Sequence, residues 1–202
     1  MNTRIDELRA SMHWHYFQVC RDHVTRYEAI EAKIKDARNS TGDRHIVEMN
    51  IAAESSQRER SVVIPIVFAA MCLEAFIFDY GAQHLSKSYV SDHIDKLEMP
   101  SKFVVLSELV SGKKFPTSSH AYERLVQLVK DRNSLVHFKS KGFSFAELQE
   151  LAKWHEEMNA KLRTGMYNAY KCVLEVMKEM DNLHKNQTNY FATFAADAEY
   201  HA

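Results

Sequence analysis

Only five glycines and three prolines punctuate 202 residues, and that scarcity of chain breakers constrains the fold more than any other feature. Gly and Pro are the residues that end helices and shape turns. A chain so poor in them is committed to long, uninterrupted elements. Hydrophobic residues make up 46% of the sequence, and Ala, Leu, Met, Glu and Lys are plentiful, a balance that favours helix over strand. No linker, internal repeat or low-complexity tract divides the chain. The expectation is a single all-α domain over 1–202, an up-and-down helical bundle with two long outer helices, its core over about 4–183 and a tail over 184–202.

Periodicity locates the elements. Ile5, Leu8, Met12, Tyr16, Val19, Val24, Tyr27, Ile30, Ile34 and Ala37 recur mostly at steps of three and four, which predicts one amphipathic helix over 4–38 capped by Asn2 or Thr3. "NSTGD" at 39–43 breaks it, and a more polar helix follows over 44–58. The apolar run "SVVIPIVFAAMCLEAFIFDYGAQHL" predicts a central helix over 61–86, with Ser61 as its cap and Pro65 tolerated near its first turn. A helix over 101–111 ends at Gly112, and another starts near Ser118 or Ser119. Ser144 and Glu147 fit a capping box ahead of a long helix reaching 183, which Gly165 is expected to bend. The last residues are expected to dock as a short helix or fray.

Several function classes fall away. The net charge is −1, whereas broad nucleic-acid binding needs a basic surface, so any RNA contact must be local. Cys20, Cys72 and Cys172 form no C-x-x-C pair, an odd count that suits reduced thiols in a cytoplasmic setting. The first residues carry no apolar leader. The run at 62–78 contains Pro65 and Glu74 and is expected to be a core helix, not a membrane span. His13, His15 and His23 lack metal-site spacing, because neighbours two apart on a helix point about 200° apart. No cofactor, metal, phosphate loop or hydrolase motif is expected. Met158, Met166, Met177 and Met180 look like gap-filling core.

What remains is "KDRNSLVHFK" at 130–139. Arg132 follows Leu125, Leu128 and Val129 by seven, four and three residues, which would bring it out of the apolar stripe, where a charge needs a partner or an interface. His137, five residues on, lies about 140° around an ideal helix from Arg132. The two would meet on one ligand only if the helix ended or bent, or if a second copy completed the site. Glu74 is the only charge between Val62 and Phe78, so it is expected to be buried and paired, with Arg132 as partner; the plain alternatives are a structural ion pair or a solvent-facing Glu. Lys130, Lys139 and Lys141 make a small basic rim for RNA phosphate, or an ordinary solvated surface.

"RNSLVH" at 132–137 resembles the R-x4-H motif of the HEPN superfamily, in the form with Asn after Arg. "LEAFIFDYG" at 73–81 and "MPSKF" at 99–103 are similar to the corresponding segments of its bacterial members, so the resemblance covers about 60–183 in order and spacing. It implies a helical bundle that pairs as a homodimer, bringing two motifs into one cleft, and a metal-independent endoribonuclease, acting in toxin or defence systems. On that resemblance His137 would act as general base or acid, Arg132 would hold the phosphate, and Asn133 and Glu74 would support them. Cleavage through the 2′-hydroxyl would spare DNA. The sequence has Lys139 two residues after the His, where toxins silenced by a nucleotidyltransferase partner often carry Tyr, and Phe78 where relatives often carry Asn. The rival expectations are an inactive module using its groove for a nucleotide or protein, and a plain scaffold in which the motif is coincidental.

Overall fold

The computed structural model describes residues 11–185 and 188–199, and every regular element among them is helical. In chain order they are α1 (His13–Arg38), α2 (Arg44–Ser61), α3 (Val63–His84), a single turn α4 (Lys87–Tyr89) that runs into a π-turn (Val90–Ile94), α5 (Met99–Ser111), α6 (His120–Val136), α7 (Leu148–Leu183) and α8 (Tyr190–Glu199). Local chemistry sets the ends. The Asp43 carboxylate accepts from the His45 N–H at 2.9 Å and starts α2. The Ser119 hydroxyl accepts from the Tyr122 N–H and starts α6. Gly112 closes α5 with φ 71°, a conformation that a Cβ makes costly.

The ends differ from expectation in three places. The first helix, expected over 4–38, begins at His13, with Ser11 and Met12 outside it, and the expected caps Asn2 and Thr3 lie outside the described residues. Ser61 does not cap α3: it is the last residue of α2, and its hydroxyl donates back to the Gln57 carbonyl. Pro65 explains the joint, since it has no N–H for the Ser61 carbonyl four residues earlier. The backbone at Val62 (φ −81°, ψ −25°) stays near helical, so α2 and α3 form an almost continuous rod. The Ser144–Glu147 box is present, the Glu147 carboxylate accepting from both the N–H and the hydroxyl of Ser144, but it closes a 3-10 turn (Phe145–Glu147) ahead of α7.

Two antiparallel hairpins build the bundle. In the first, α1 runs back along α2 and α3, as the pairs Arg58–Glu31, Arg26–Gln57 and Tyr16–Phe68 record. In the second, Arg124–Glu175 and Phe138–Trp154 set α6 against α7. Their interface with α3 is tight at Gly165, where a Cβ would lie 3.1 Å from Ile66 Cδ1 and 3.2 Å from Asp131 Oδ2. The glycine therefore permits close approach, and α7 runs as one helix past it.

α3 is the hub. Leu73 and Ile77 are fully buried among Phe17 of α1, Phe103 of α5, Leu125 of α6 and Val173 of α7. α8 adds Phe194, whose ring stands edge-on to Phe17 at 5.0 Å, so the residues after 183 complete the core. Covering such a side chain is worth about 1.5–3 kcal/mol. By length and composition one 18-residue stretch of the α2–α3 rod is apolar enough to cross a membrane, contrary to the expectation from Pro65 and Glu74. Its apolar residues are the ones that hold the bundle's centre.

Candidate functional site

The end of α6 carries the motif, and its buried stripe runs Ala121, Leu125, Leu128, Asp131. The steps are four, three and three, so Asp131 continues the stripe and Arg132, one residue later, turns about 100° outward. The expectation that Arg132 emerges from the apolar stripe is thus corrected. Asp131 is the buried charge, held by the Gln127 amide at 2.8 Å, and Arg132 is exposed. Its Nη1 donates to Asn133 Oδ1 at 2.9 Å.

α6 ends at Val136. His137 is its C-cap, with φ −107° and ψ 26°; its backbone N–H reaches the Asn133 carbonyl at 3.0 Å and its ring is exposed. No hydrogen bond or ring contact joins His137 to Arg132. Asn133 lies next to Arg132 in sequence and about 40° from His137 around the helix, so it stands between them. Within one chain the motif is a displayed row of side chains rather than a closed catalytic pair.

Arg132, Asn133 and Val129 form one wall of an open groove of about 760 Å³. One face of α3 contributes Met71, Glu74 and Phe78, and residues 95–102 form the facing wall. His137, Lys130, Lys139 and Lys141 do not line it. Lys130 is exposed on α6, and Lys139 and Lys141 are exposed on the loop after it.

The groove holds a residue that the sequence reading passed over. Lys102 of α5 has only 5% of its side chain exposed, and its ammonium donates to Glu74 and, at 2.9 Å, to Asp95. Glu74 is therefore paired with Lys102 and not with Arg132, and it is about half exposed (46%), not buried. The rod geometry explains the exchange: Glu74 faces α5 across the groove, while Arg132 stands at the rim. Burial by itself would push the Lys102 pKa down, but the bonds and charges of Glu74 and Asp95 outweigh it and hold the pKa above its ordinary value. A signal was there to be read. Lys102 follows Met99 by three and precedes Leu106 by four, on the buried stripe of α5.

At the far end of the groove His13 Nδ1 approaches Asp79 at 3.5 Å. Burial lowers the His13 pKa, with Asp79 acting in the opposite sense. The carboxylates of Glu74, Asp79, Asp95 and Glu98 outnumber the cations Lys102 and Arg132, so the groove is acidic as well as apolar. The three cysteines converge from α1, α3 and α7 in the core, near enough to influence one another, and burial pushes their thiols well above the usual range. Such thiols are unreactive. Among the described residues no group of three His, Cys, Asp or Glu side chains is placed to hold a metal ion. No family model, no curated protein and no solved structure matches the chain.

Proposed function

We propose that the chain is a metal-independent endoribonuclease of HEPN type, working as a homodimer in which two R-x4-H motifs share one composite site. The observation that carries this reading is the display at the end of α6. Arg132 is exposed and, among the described residues, hydrogen-bonds only to its neighbour Asn133, and His137 is exposed at the helix terminus. Unlike Arg124, which is tied to Glu175, Arg132 makes no ion pair among those residues, so its guanidinium is available to a ligand. Arg132 and His137 instead face outward, about 140° apart on the helix, an arrangement that a second copy can complete.

The chemistry follows from the groups. A His137 ring takes the proton of the ribose 2′-hydroxyl as its oxygen attacks the adjacent phosphorus. The bond to the 5′-oxygen breaks and that oxygen gains a proton, leaving a 2′,3′-cyclic phosphate and a 5′-hydroxyl. Arg132 presents a planar fork to the non-bridging oxygens and stabilises the charge they gain, with Asn133 orienting it. Glu74 acts at one remove, by fixing Lys102 in the groove wall. Lys130, Lys139 and Lys141 attract flanking phosphates. The reduced core thiols suit a cytoplasmic toxin or defence role.

RNA cleavage in the absence of divalent metal tests this, with Arg132→Ala and His137→Ala compared at matched folding and dimer content. Cleavage by the unaltered chain that falls about 10²–10⁴-fold in His137→Ala, with cyclic phosphate ends, is expected. Equal cleavage by all three chains would assign the activity to a contaminant. One observation favours a second reading, an inactive binding module: the groove beside Arg132 is apolar and acidic, and His137 does not line it. Absence of cleavage across varied RNAs selects that reading.

A further inference from the structure

The loop after the motif reads Phe138-Lys139-Ser140-Lys141-Gly142-Phe143-Ser144-Phe145, two lysines flanked by three aromatic rings immediately beyond His137. We propose that this loop, together with Trp154 of α7, is a stacking platform that holds single-stranded RNA beside the composite site. The proposal rests on the ribonuclease reading and says where the substrate strand lies.

A ring in a loop of a helical protein is normally tucked against the bundle, because each large apolar side chain left in water forgoes its burial. Here Phe145 is 95% exposed and Phe138 52% exposed. Trp154 contacts both Phe138 and Phe143, with ring centroids 6.2 Å and 5.9 Å away, so these three rings form one cluster. Phe145 projects into solvent two residues after Phe143. Lys141 Nζ lies 4.9 Å from the Phe143 ring centroid. Glu147 accepts from Ser144 and stays ionised, so Lys139 and Lys141 leave the loop with an excess of one positive charge.

Exposed rings beside a pair of cations suit a nucleic-acid single strand, which offers flat bases to the rings and phosphates to the lysines. Bases stack on aromatic faces without regard to sequence, and the lysines meet the backbone. A duplex has no free base faces to offer. The near-neutral charge of the whole chain fits a contact confined to one loop. The Ser144–Glu147 box fixes the start of the 3-10 turn, so Phe145 is presented outward rather than folded back.

The test uses two fluorescent probes: an oligothymidylate 12-mer with the unaltered chain, which cannot cleave it, and a mixed-sequence RNA 12-mer with His137→Ala. Phe145→Ala should weaken both by about 5- to 150-fold, the loss of one stacked base, without altering the slope of log affinity against log salt. Lys139→Ala with Lys141→Ala should lower that slope by about 1.4, about 0.7 per phosphate. Because Phe145 is so exposed, its removal leaves the fold intact, which a matched thermal midpoint verifies. Unchanged affinity in Phe145→Ala overturns the platform, as does failure of the unaltered chain to bind either probe. Loss of dimerisation, or of binding to phosphatidylglycerol vesicles, in Phe145→Ala with oligonucleotide affinity unchanged overturns it in favour of a protein or membrane contact. Cleavage that needs Arg132 and His137 but ignores Phe145 sinks the platform alone. Oligonucleotide binding without any RNA cleavage sinks the ribonuclease reading and leaves the strand-binding loop standing.

Discussion

The two halves of α7 carry the same apolar repeat and meet opposite fates. From Gly165 to Leu183 the stripe Met166, Ala169, Val173, Val176 and Met180 is buried against α3, α6 and α8. From Leu148 to Thr164 nothing is fully buried: Leu148 is 61% exposed, and Leu151, Trp154, Met158 and Leu162 are only partly covered. The pattern dictates a helix in both halves, because periodicity acts on local conformation. Whether a stripe is covered depends on what lies opposite. α3 and α6 lie opposite the second half, while α6 stops at Val136. Met158 and Leu162 still face its last turns and Asn159 reaches Glu59 of α2, but the start of α7 around Trp154 meets only the loop after α6. The motif and the exposed rings sit at that boundary. A stripe that the chain makes and does not cover is where a ligand or a second copy gains most.

Substitution in the covered half should have the largest effect. Met177 is fully buried, and Met177→Ala is expected to cost about 2–5 kcal/mol through lost burial and the cavity left behind. A urea denaturation midpoint reads it directly. A loss under about 1 kcal/mol would mean that the core relaxes around the gap and that the halves differ less than their burial suggests.

A charge beside the packed half comes next. Lys102→Met removes a buried ammonium and leaves Glu74 and Asp95 facing each other with no cation between them. For a fully buried pair such a loss costs about 3–5 kcal/mol. These carboxylates are about half exposed (46% and 51%), so water takes over part of the role and the expected loss is about 2 kcal/mol. The loss should shrink in Lys102→Met with Glu74→Gln, since the repulsion goes with the carboxylate. If the double variant is no better than the single, Lys102 acts through packing and not through charge.

Lys102 also shows where sequence reading stops. The helices, their order and most of their ends follow from caps, breakers and periodicity, which are local. Asp43, Ser119, Gly112 and the Ser144–Glu147 box act where the sequence places them. Pairings between helices are not local. Assigning Glu74 to Arg132 needed the rotation of three helices at once, and one residue of phase on α6 exchanged the roles of Asp131 and Arg132. Gly165 is a second case. A glycine within a helix reads as a weak point, and only the approach of Ile66 and Asp131 reveals that the position cannot hold a larger side chain without movement. The candidate site was legible as a list of residues, Arg132, Asn133 and His137, because the motif is contiguous. Its groove was not, because Met71, Phe78, Asp95 and Lys102 come from separate elements.

The packed end should also be the acid-sensitive one. His184 Nε2 lies 2.9 Å from the Tyr80 hydroxyl and its ring stacks near His84. Burial lowers both histidine pKa values; His184 adds to the effect at His84, and at His184 Lys113 adds to it while Asp181 acts in the opposite sense. A histidine whose folded pKa is depressed is neutral in the fold but protonates in the unfolded chain. Its contribution is therefore complete above about pH 6.5 and is lost as pH falls below that value. Between pH 7.5 and pH 5 the unfolding midpoint of the unaltered chain should fall further than that of His84→Gln with His184→Gln. Parallel falls would show that the pair does not report on the packed end.

The smallest effect should be Leu148→Ala. Leu148 opens α7 on the uncovered stripe, and Leu and Ala differ little as helix formers, so in a dilute monomer the change should stay within about 0.5 kcal/mol. The measurement gains its force from protein concentration. If a second copy covers this stripe, the folded state is stabilised by mass action, and the thermal midpoint of the unaltered chain rises with concentration. Leu148→Ala should then lose that rise while matching the unaltered chain at the dilute limit. A midpoint flat with concentration in both chains would leave the first half of α7 open in solution and place any dimer contact on another face. A loss above about 1 kcal/mol at every concentration would mean that the stripe is covered within one chain, and the contrast between the two halves of α7 would fail.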